Sequence, residues 1–370
     1  MSVKHSEFST SAGITEHFFT VTCSGGDDFA AEAAAVMSAY RETLPQYSCS
    51  NASCMLLRFH LSDVTNQFPV LEPLLAAETG LISVVGQPPA GARIALEAWH
   101  WGGAEISRQG EAVAAKLQNY TAYWFNTPFA GIAGSAAQTA GEFVRLQEFL
   151  NSRNCNVADN TVRTWLYCRD VDNNYAGLVT ARNEFFAGNG LTADTHFIAS
   201  TGIEGQMAEV SRLVKMDSLN YSGIVPGQMI YLSAPEMLSP TTLYGVSFER
   251  GTRLVFGDRS HYFISGTASI DKYGKVLYPG DVKSQTGRML DNIEALLASS
   301  GGKISDIRWG TLYLRDIADC EAVTAIVRSR LGENTPLITV KAPVCRPAWL
   351  VELECVAVNA AGDGKFPVLR

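Results

Sequence analysis

The sequence lacks the features that define several large classes of protein. It has no run of lysine or arginine, and 37 acidic residues outnumber 29 basic ones, so it offers no basic stripe of the kind that nucleic-acid surfaces carry. No apolar stretch approaches the roughly 18 residues of a membrane span. The start of the chain lacks the apolar core of a signal peptide. We therefore expect a cytoplasmic protein with no nucleic-acid partner and no membrane association.

Patterns typical of metal sites are also missing from the sequence. The eight cysteines are scattered without CxxC pairs, and the histidines do not follow metal-ligand spacing. We interpret the cysteines as reduced thiols of a cytoplasmic protein. We expect neither a metal nor a cofactor.

What the sequence does contain is one pattern that occurs three times. A strand that ends in an acidic corner lies at residues 56–64, 162–171 and 307–317. In the second and third copies a Gln-Thr pair, beginning at Gln138 and Gln285, opens the preceding helix at nearly the same distance from the corner. Ordered repeats of this kind indicate tandem structural units.

The repeats predict an α+β fold of three tandem domains, at residues 1–110, 111–238 and 239–370. A sheet with two helices on one face leaves its other face to be covered. Three units packed around a pseudo-threefold axis, with sheets inside and helices outside, provide that cover within one chain. We expect such a pseudo-trimer to be a monomer or a small homo-oligomer.

The third copy resembles the Rid superfamily, also called YjgF or endoribonuclease L-PSP. The resemblance lies in its strand, loop, helix and final strand, at residues 265–268, 279–282, 292–297 and 351–354. Members of this superfamily are usually homotrimers of a chorismate-mutase-like fold with clefts between subunits. The resemblance therefore implies a trimer written as one polypeptide.

The chain is similar to the chorismatase branch of this superfamily in five further segments. They are residues 163–165, 181–183, 199–203, 265–269 and 345–347. This similarity implies an enzyme that releases pyruvate from chorismate, a small carboxylate substrate, without metal or cofactor. It also places the cleft between the middle and third copies.

Two other functions stay open from the sequence. Imine deaminases of the superfamily anchor the substrate carboxylate with an arginine just after the second helix. The matching positions here are Ile338 in the third copy and Ala199 in the middle copy, which argues against enamine or imine deamination. A non-catalytic small-molecule-binding protein is the remaining alternative, because a fold does not fix a function.

Two carboxylates on the closing strand are the first candidates for chemistry. Glu352 and Glu354 share one strand face, and burial beside a like charge raises the pKa of a glutamate towards neutrality. The resemblance makes Glu352 the acid that protonates the enolpyruvyl methylene. Guanidinium groups suit substrate carboxylates, and the candidates are Arg163, Arg182 and Arg346.

Further binding residues are expected on the middle copy. Tyr167 follows on the strand of Arg163, and Ser200, Thr201 and Gly202 form a small-residue stretch whose backbone N–H groups could face an anion.

The product type is predicted from a pair of small residues. The pair Gly266 and Cys345 resembles the pair found in the chorismatases that form 3-hydroxybenzoate. Cys345 is therefore a catalytic candidate together with Glu352. A thiol is bulkier than a methyl group and can exclude water. The sequence therefore predicts 3-hydroxybenzoate as the product.

Overall fold

Three mixed β-sheets, one from each third of the chain, form the protein. The computed structural model describes residues 1–370. The first unit contains β1 (Ser2–Phe8), β2 (Thr15–Thr22), α1 (Phe29–Thr43), β3 (Cys54–Leu61), α2 (Val64–Leu71), β4 (Leu81–Gly86) and β5 (Ile94–Gly102). The second contains β6 (Glu105–Gln109), β7 (Ala112–Lys116), β8 (Thr121–Asn126), α3 (Ser135–Asn151), α4 (Val157–Asn160), β9 (Thr161–Cys168), α5 (Val171–Gly188), β10 (Ala199–Glu204) and β11 (Val214–Ser222). The third contains β12 (Met229–Tyr231), β13 (Gly251–Val255), β14 (Ser260–Ala268), α6 (Val282–Ala298), β15 (Ile307–Leu314), α7 (Cys320–Leu331), β16 (Leu337–Lys341) and β17 (Val351–Asn359).

Each unit repeats the same four-stranded core. The strand orders β2-β5-β3-β4, β8-β11-β9-β10 and β14-β17-β15-β16 are equivalent. In each, the last two strands pair in parallel and the others pair antiparallel. The parallel pair needs a crossover, which α2, α5 and α7 supply in the three units. The predicted α+β fold of three tandem units is confirmed.

The sheets face one another at the centre of the molecule. All eight residues of β3 and all eight of β9 are buried, as expected for strands covered on both faces. Trp99 and Trp124 come from the first and second units, with ring centroids 5.9 Å apart, and Trp309 of the third lies 6.2 Å from Trp99. The predicted arrangement, with sheets inside and helices outside, follows from this burial.

Helix ends follow local capping rules. Asp281 precedes α6 and accepts a hydrogen bond from the Ser284 backbone N–H at 3.1 Å, and Asp63 caps α2 through Asn66 in the same way. Such caps satisfy backbone donors that have no partner inside the helix. None of the helices combines the length and the apolar composition that crossing a membrane requires.

The sheets place the unit boundaries earlier than the predicted ones. β6 ends at Gln109 and pairs with β7 of the second sheet, so it is not part of a first domain that runs to residue 110. β12, at Met229–Tyr231, pairs with β13 of the third sheet, although it lies before residue 239. In both cases a short edge strand in the linker joins the following unit.

Two local features are not apparent from the sequence pattern. The last strand of the middle unit is β11, whose polar residues, including Lys215 and Asp217, are buried, which hides the strand pattern. β14 contains a β-bulge, marked by a register shift between Ile264 and Thr267, and continues to Ala268. The stretch 200–202 is part of β10.

The single-chain trimer predicts how its last unit behaves alone. A fragment of residues 225–370 keeps the whole third sheet but exposes its inner face, including Trp309 and Tyr313. Exposed apolar surface of this size favours association, so the fragment should trimerise or aggregate while the full chain stays at its own oligomeric state. Analytical ultracentrifugation of both would show this, and a soluble monomeric fragment would contradict it.

Candidate active site

One cavity between the middle and third units collects most of the predicted site residues. Its empty volume is about 480 Å³, within the range of small-molecule sites. The residues that line it come from α5, β10, the loop before β13, β14, β17 and the loop before β17; they are Tyr175, Arg182, Ser200, Thr201, Gly202, Tyr244, Val246, Phe248, Arg250, Gly266, Ala268, Ile270, Cys345, Arg346, Trp349 and Glu352.

Polar contacts between β10 and β14 fix the floor of this cavity. The backbone N–H of Gly266 donates to the Thr201 hydroxyl at 2.8 Å, and the backbone N–H of Ser200 donates to Ser265 Oγ at 2.9 Å. The backbone N–H of Ser200 is thus engaged by Ser265 and is not available to bind an anion. Ser200 and Thr201 instead join the two units.

Glu352 projects from β17 into the cavity with no ion pair or hydrogen bond from the protein. Glu352 is only 5% exposed to solvent. Burial, and next the charge of Glu354, raises the pKa of Glu352 to about 8, although Arg163 and Arg250 act in the opposite direction. A carboxyl group with this pKa stays protonated at neutral pH and can donate a proton.

Gly266 makes room for that carboxyl group. A Cβ atom at position 266 would overlap the Glu352 carboxyl group and lie 3.0 Å from the Thr201 methyl group. Any larger residue would therefore push Glu352 out of place. The bulge in β14 and the missing side chain together set the position of the acid.

Glu354, two residues along the same strand, has the opposite environment. Its carboxylate accepts hydrogen bonds from Arg163 at 2.8 Å, from Trp165 Nε1 at 2.8 Å and from the Tyr313 hydroxyl at 2.9 Å. Donors of this number favour the charged form of a carboxyl group. The two neighbouring glutamates are thus a bare acid and a fully bonded carboxylate, a contrast that separates acid and base roles in enzymes.

Arg182 is a buried cation without a counter-ion. It lies on α5, is 1% exposed, and its buried Nε and Nη2 atoms have no hydrogen-bond partner. Its guanidinium carbon is 5.8 Å from the centroid of the Phe248 ring. A buried charge is costly unless it is paired, so a partner from a ligand would relieve this cost.

Two further arginines face the cavity without a carboxylate partner. Arg250 donates only to the Ser239 carbonyl, at 3.0 and 3.3 Å, and Arg346 donates to the Tyr244 carbonyl at 2.9 Å. Both guanidinium groups also lie over the Tyr244 ring. With Arg182 they give the cavity three positive charges, and the protonated Glu352 adds no negative one.

Cys345 and Tyr175 line the cavity together with Glu352. Burial, and next the nearby Glu352, raises the pKa of the Cys345 thiol to about 12. The group is therefore a neutral thiol and not a thiolate nucleophile. Gly202 accommodates the Tyr175 ring, because a Cβ atom there would lie 2.9 Å from a ring carbon.

The structure places Arg163 and Tyr167 outside the cavity lining. Arg163 lies behind the wall, where it pairs with Glu354 and donates to the Thr201 hydroxyl and to Ser265 Oγ. The Tyr167 ring packs near Arg58 in the centre of the molecule, and its buried hydroxyl has no partner. Neither residue is positioned to contact a ligand in this cavity.

Sequence reasoning missed Tyr175, Tyr244, Phe248, Arg250 and Trp349. Four of these are aromatic, and an aromatic residue on a helix or in a loop resembles ordinary core sequence. Arg250 had a usable signal, since it stands directly before an apolar strand as Arg163 stands inside one.

One group of possible metal ligands lies elsewhere, on the β1–β2 hairpin. Nitrogen atoms of His5 and His17 are 3.1 Å apart, and Glu7 is 3.7 Å from His17. The imidazole centroids are 5.4 Å apart, so the two nitrogen atoms point at each other. This is the geometry of a hydrogen bond between rings and not of two lone pairs that converge on an ion.

Comparison with known proteins identifies the family. The family model described as endoribonuclease L-PSP matches residues 249–359. RutC family proteins of Pyrococcus abyssi and Pyrococcus horikoshii are 30% and 31% identical over 96 residues, which are 26% of this chain and 76% of each relative. The 3-aminoacrylate deaminase RutC of Acinetobacter baylyi is 29% identical over the same length. The chain belongs to the endoribonuclease L-PSP family, which is the Rid superfamily.

A solved structure extends the likeness beyond the third unit. A chorismatase crystal structure aligns with a TM-score of 0.65 and 21% identity, and the match covers 83% of this chain and 93% of that one. An identity this low concerns the fold. The predicted chorismatase-like arrangement of tandem Rid units is confirmed at that level.

Proposed function

We propose that this protein is a chorismatase-like enzyme that releases pyruvate from chorismate. The observation that carries the proposal is a buried, protonated Glu352 beside three arginines without carboxylate partners, Arg182, Arg250 and Arg346. The net charge favours a dianion, and chorismate carries two carboxylates. Guanidinium groups bind carboxylates through paired, charge-assisted hydrogen bonds.

In the proposed reaction Glu352 gives its proton to the methylene carbon of the enolpyruvyl group. The methylene becomes a methyl group, and positive charge develops at the carbon that bears the ether oxygen. The bond between that oxygen and the ring then breaks, and pyruvate leaves with the oxygen as its keto group. The Glu352 carboxylate that remains is positioned to take a proton back from the ring product.

The ring fragment has two possible fates. Capture by the neighbouring ring hydroxyl, followed by loss of a ring proton, gives 3-hydroxybenzoate, which together with pyruvate accounts for every atom of chorismate. Capture by water gives a dihydroxycyclohexadiene acid and consumes one water molecule. Since the neutral Cys345 thiol and the Tyr175 ring line the cavity with Glu352, we infer that they exclude water and that 3-hydroxybenzoate forms.

The test of this function is a coupled assay in which released pyruvate is reduced with NADH. Chorismate should give NADH oxidation with the purified protein, and the protein should not accelerate ammonia release from 2-aminoacrylate above the uncatalysed rate. Pyruvate formation from chorismate should fall by about 10²-fold or more in the Glu352→Gln variant prepared in parallel. Ammonia release from 2-aminoacrylate without pyruvate release from chorismate would favour the alternative of enamine or imine deamination, and binding of chorismate without turnover would favour a non-catalytic protein.

The product assignment predicts a change of partition in Cys345→Ala. Removing the thiol opens space for water beside the ring, so the diene diol should appear at the expense of 3-hydroxybenzoate while total pyruvate release changes by less than about tenfold. Liquid chromatography of the products measures the ratio.

Cys345→Ala alone is a cleaner test of product control than the double variant that also carries Gly266→Ala. An added methyl group at 266 overlaps the Glu352 carboxyl and would lower the rate for a different reason. An unchanged product ratio in Cys345→Ala would remove the thiol from product control.

A further inference from the structure

A second cavity lies between the first and middle units, at the place that repeats the active site. Its empty volume is about 600 Å³, and Lys215 of β11 lies in its lining with Ile82 and Val84 of β4. Val214 pairs with the end of β9 as Val351 pairs with the end of β15. The next residue on each strand is therefore equivalent, and Lys215 occupies the position that Glu352 has in the first cavity.

The residues around this second cavity change its chemistry. Counted from the aspartate before each helix, Phe68 replaces Tyr175 and the buried Leu75 replaces Arg182. Ile82 takes the place of Ser200, as their registers on β3 and β9 show. The side formed by the first unit has thus lost the unpaired guanidinium group and gained apolar side chains, and an amine replaces the acid. Asn126, Thr127, Glu209 and Arg212 keep the side formed by the middle unit polar.

The surroundings of Lys215 do not favour an anion. Its Nζ donates to Ser83 Oγ at 2.7 Å and lies 3.6 Å from Asp217. The other charged groups near it are Arg58, which contacts Asp217 at 3.6 Å, and Arg212, which pairs with Glu142 at 2.9 Å. Carboxylates of the protein match these positive charges, so a ligand carboxylate would meet no net attraction.

Lys215 has the character of a reactive amine. It is 6% exposed, and burial lowers its pKa to about 8 from the ordinary value of 10.5. Asp217 Oδ1, which lies 3.6 Å from Lys215 Nζ, is buried without a hydrogen-bond partner. A desolvated lysine of this kind is suited to attack on a carbonyl carbon.

We propose that the second cavity binds a neutral, mostly apolar aldehyde or ketone and that Lys215 forms an imine with it. The unprotonated Nζ attacks the carbonyl carbon, and the carbonyl oxygen takes up a proton to give a carbinolamine. Loss of one water molecule then leaves a C=N bond between ligand and lysine. The step needs no oxidant or reductant and does not depend on the proposed chorismatase activity.

The test uses benzaldehyde as a neutral apolar probe, with sodium cyanoborohydride added to reduce any imine to a stable secondary amine. At pH 7.5 an amine of pKa about 8 is unprotonated roughly two hundred times more often than an exposed lysine. Peptide mass mapping should therefore find Lys215 labelled at least about tenfold faster than any other lysine, since part of this advantage is offset by lower basicity. Equal labelling over the surface lysines, or none at Lys215, would overturn the proposal.

Two variants separate the cavity from the amine. Lys215→Met should abolish the fast labelling, and Ile82→Trp, which fills the cavity but keeps the amine, should slow labelling at Lys215 by about tenfold or more. Lys341→Met, at an exposed lysine of β16, is the control. In this variant the probe should label Lys215 at the wild-type rate. If Lys215→Met fails to fold, the Ile82→Trp result decides, because unchanged labelling there means that the probe does not enter the cavity.

Discussion

Replacing Glu352 with glutamine should lower pyruvate release from chorismate by about 10²–10⁴-fold, the usual contribution of a general acid. The amide keeps the shape of the side chain but has no proton of suitable acidity. Chorismate binding should survive, because Arg182, Arg250 and Arg346 remain. Steady-state kinetics would give the loss in kcat, and calorimetric titration of the variant with chorismate would give its affinity.

The pH profile of the wild-type enzyme supplies a second readout for the same acid. Because the pKa of Glu352 is about 8, kcat/KM should be level below that pH and fall tenfold per pH unit well above it. The small residual activity of Glu352→Gln should lack this decline. A wild-type rate that stays constant through pH 9 would show that another group donates the proton.

In the Glu352→Gln variant, stability at high pH should rise although activity falls. The folded-state pKa of Glu352 is raised above the ordinary glutamate value of 4.5, so its contribution to stability is fully present below about pH 4.5. That contribution is lost as the pH rises through about 8, since the folded state must then bury a charge. Glu352→Gln should therefore melt at a higher temperature than the wild type at pH 9.

Glu354→Gln is the matched control, because the same substitution two residues away should lower the stability of the protein. It removes the carboxylate that pairs with Arg163 and accepts from Trp165 and Tyr313. Breaking a buried ion pair costs about 3–5 kcal/mol, so this variant should lose stability at all pH values between 5 and 9. Equal effects of the two variants on stability would contradict the assignment of a bare acid and a bonded carboxylate.

The sequence was informative about this molecule wherever a feature repeats. Three strand-and-corner segments were enough to predict three α+β units with sheets inside, since each unit alone leaves a sheet face uncovered. Two glutamates on one face of β17 pointed to the candidate acid and its neighbour. The cleft between the middle and third units followed from the segments of the family resemblance.

Contacts between distant parts of the chain could not be read in this way. Arg163 and Arg182 are both buried arginines, and both were predicted from the sequence to bind a substrate carboxylate. The structure separates them, because Glu354 meets Arg163 across a unit interface and no carboxylate reaches Arg182. The partner of a buried charge depends on tertiary packing, which no local pattern encodes.

Equivalent positions on the closing strands are also hard to assign from the sequence. Glu97 and Glu352 follow the acidic corner at similar distances, 34 residues after Asp63 and 36 residues after Asp316, which would match them with each other. The register instead pairs Glu97 with Arg58 and Glu354 with Thr311, two positions that are equivalent in their units. A shift of two residues along the strand cannot be distinguished from a small change in loop length. It nevertheless decides which carboxylate is equivalent to the candidate acid.

Arg182→Met should weaken chorismate binding and at the same time stabilise the protein. The substitution keeps an unbranched apolar side chain of similar length but deletes a buried charge that has no counter-ion. Losing a charge partner of a substrate carboxylate costs about 2–5 kcal/mol, so KM should rise by about 10²-fold or more. Relief of the desolvation penalty should raise the free energy of unfolding by about 1 kcal/mol or more.

Arg259→Met provides the comparison for that result. Arg259 is as deeply buried as Arg182, but it pairs with Glu16 at 2.9 Å, away from the cavity. Its loss should destabilise the fold by about 3–5 kcal/mol and leave KM unchanged in the protein that remains folded. Urea unfolding of both variants, with KM measured at 25 °C, tests the opposite signs. If Arg182→Met lost stability as Arg259→Met does, an internal partner would have to hold Arg182, and the cavity would lack the cation that makes it a site for a dicarboxylate.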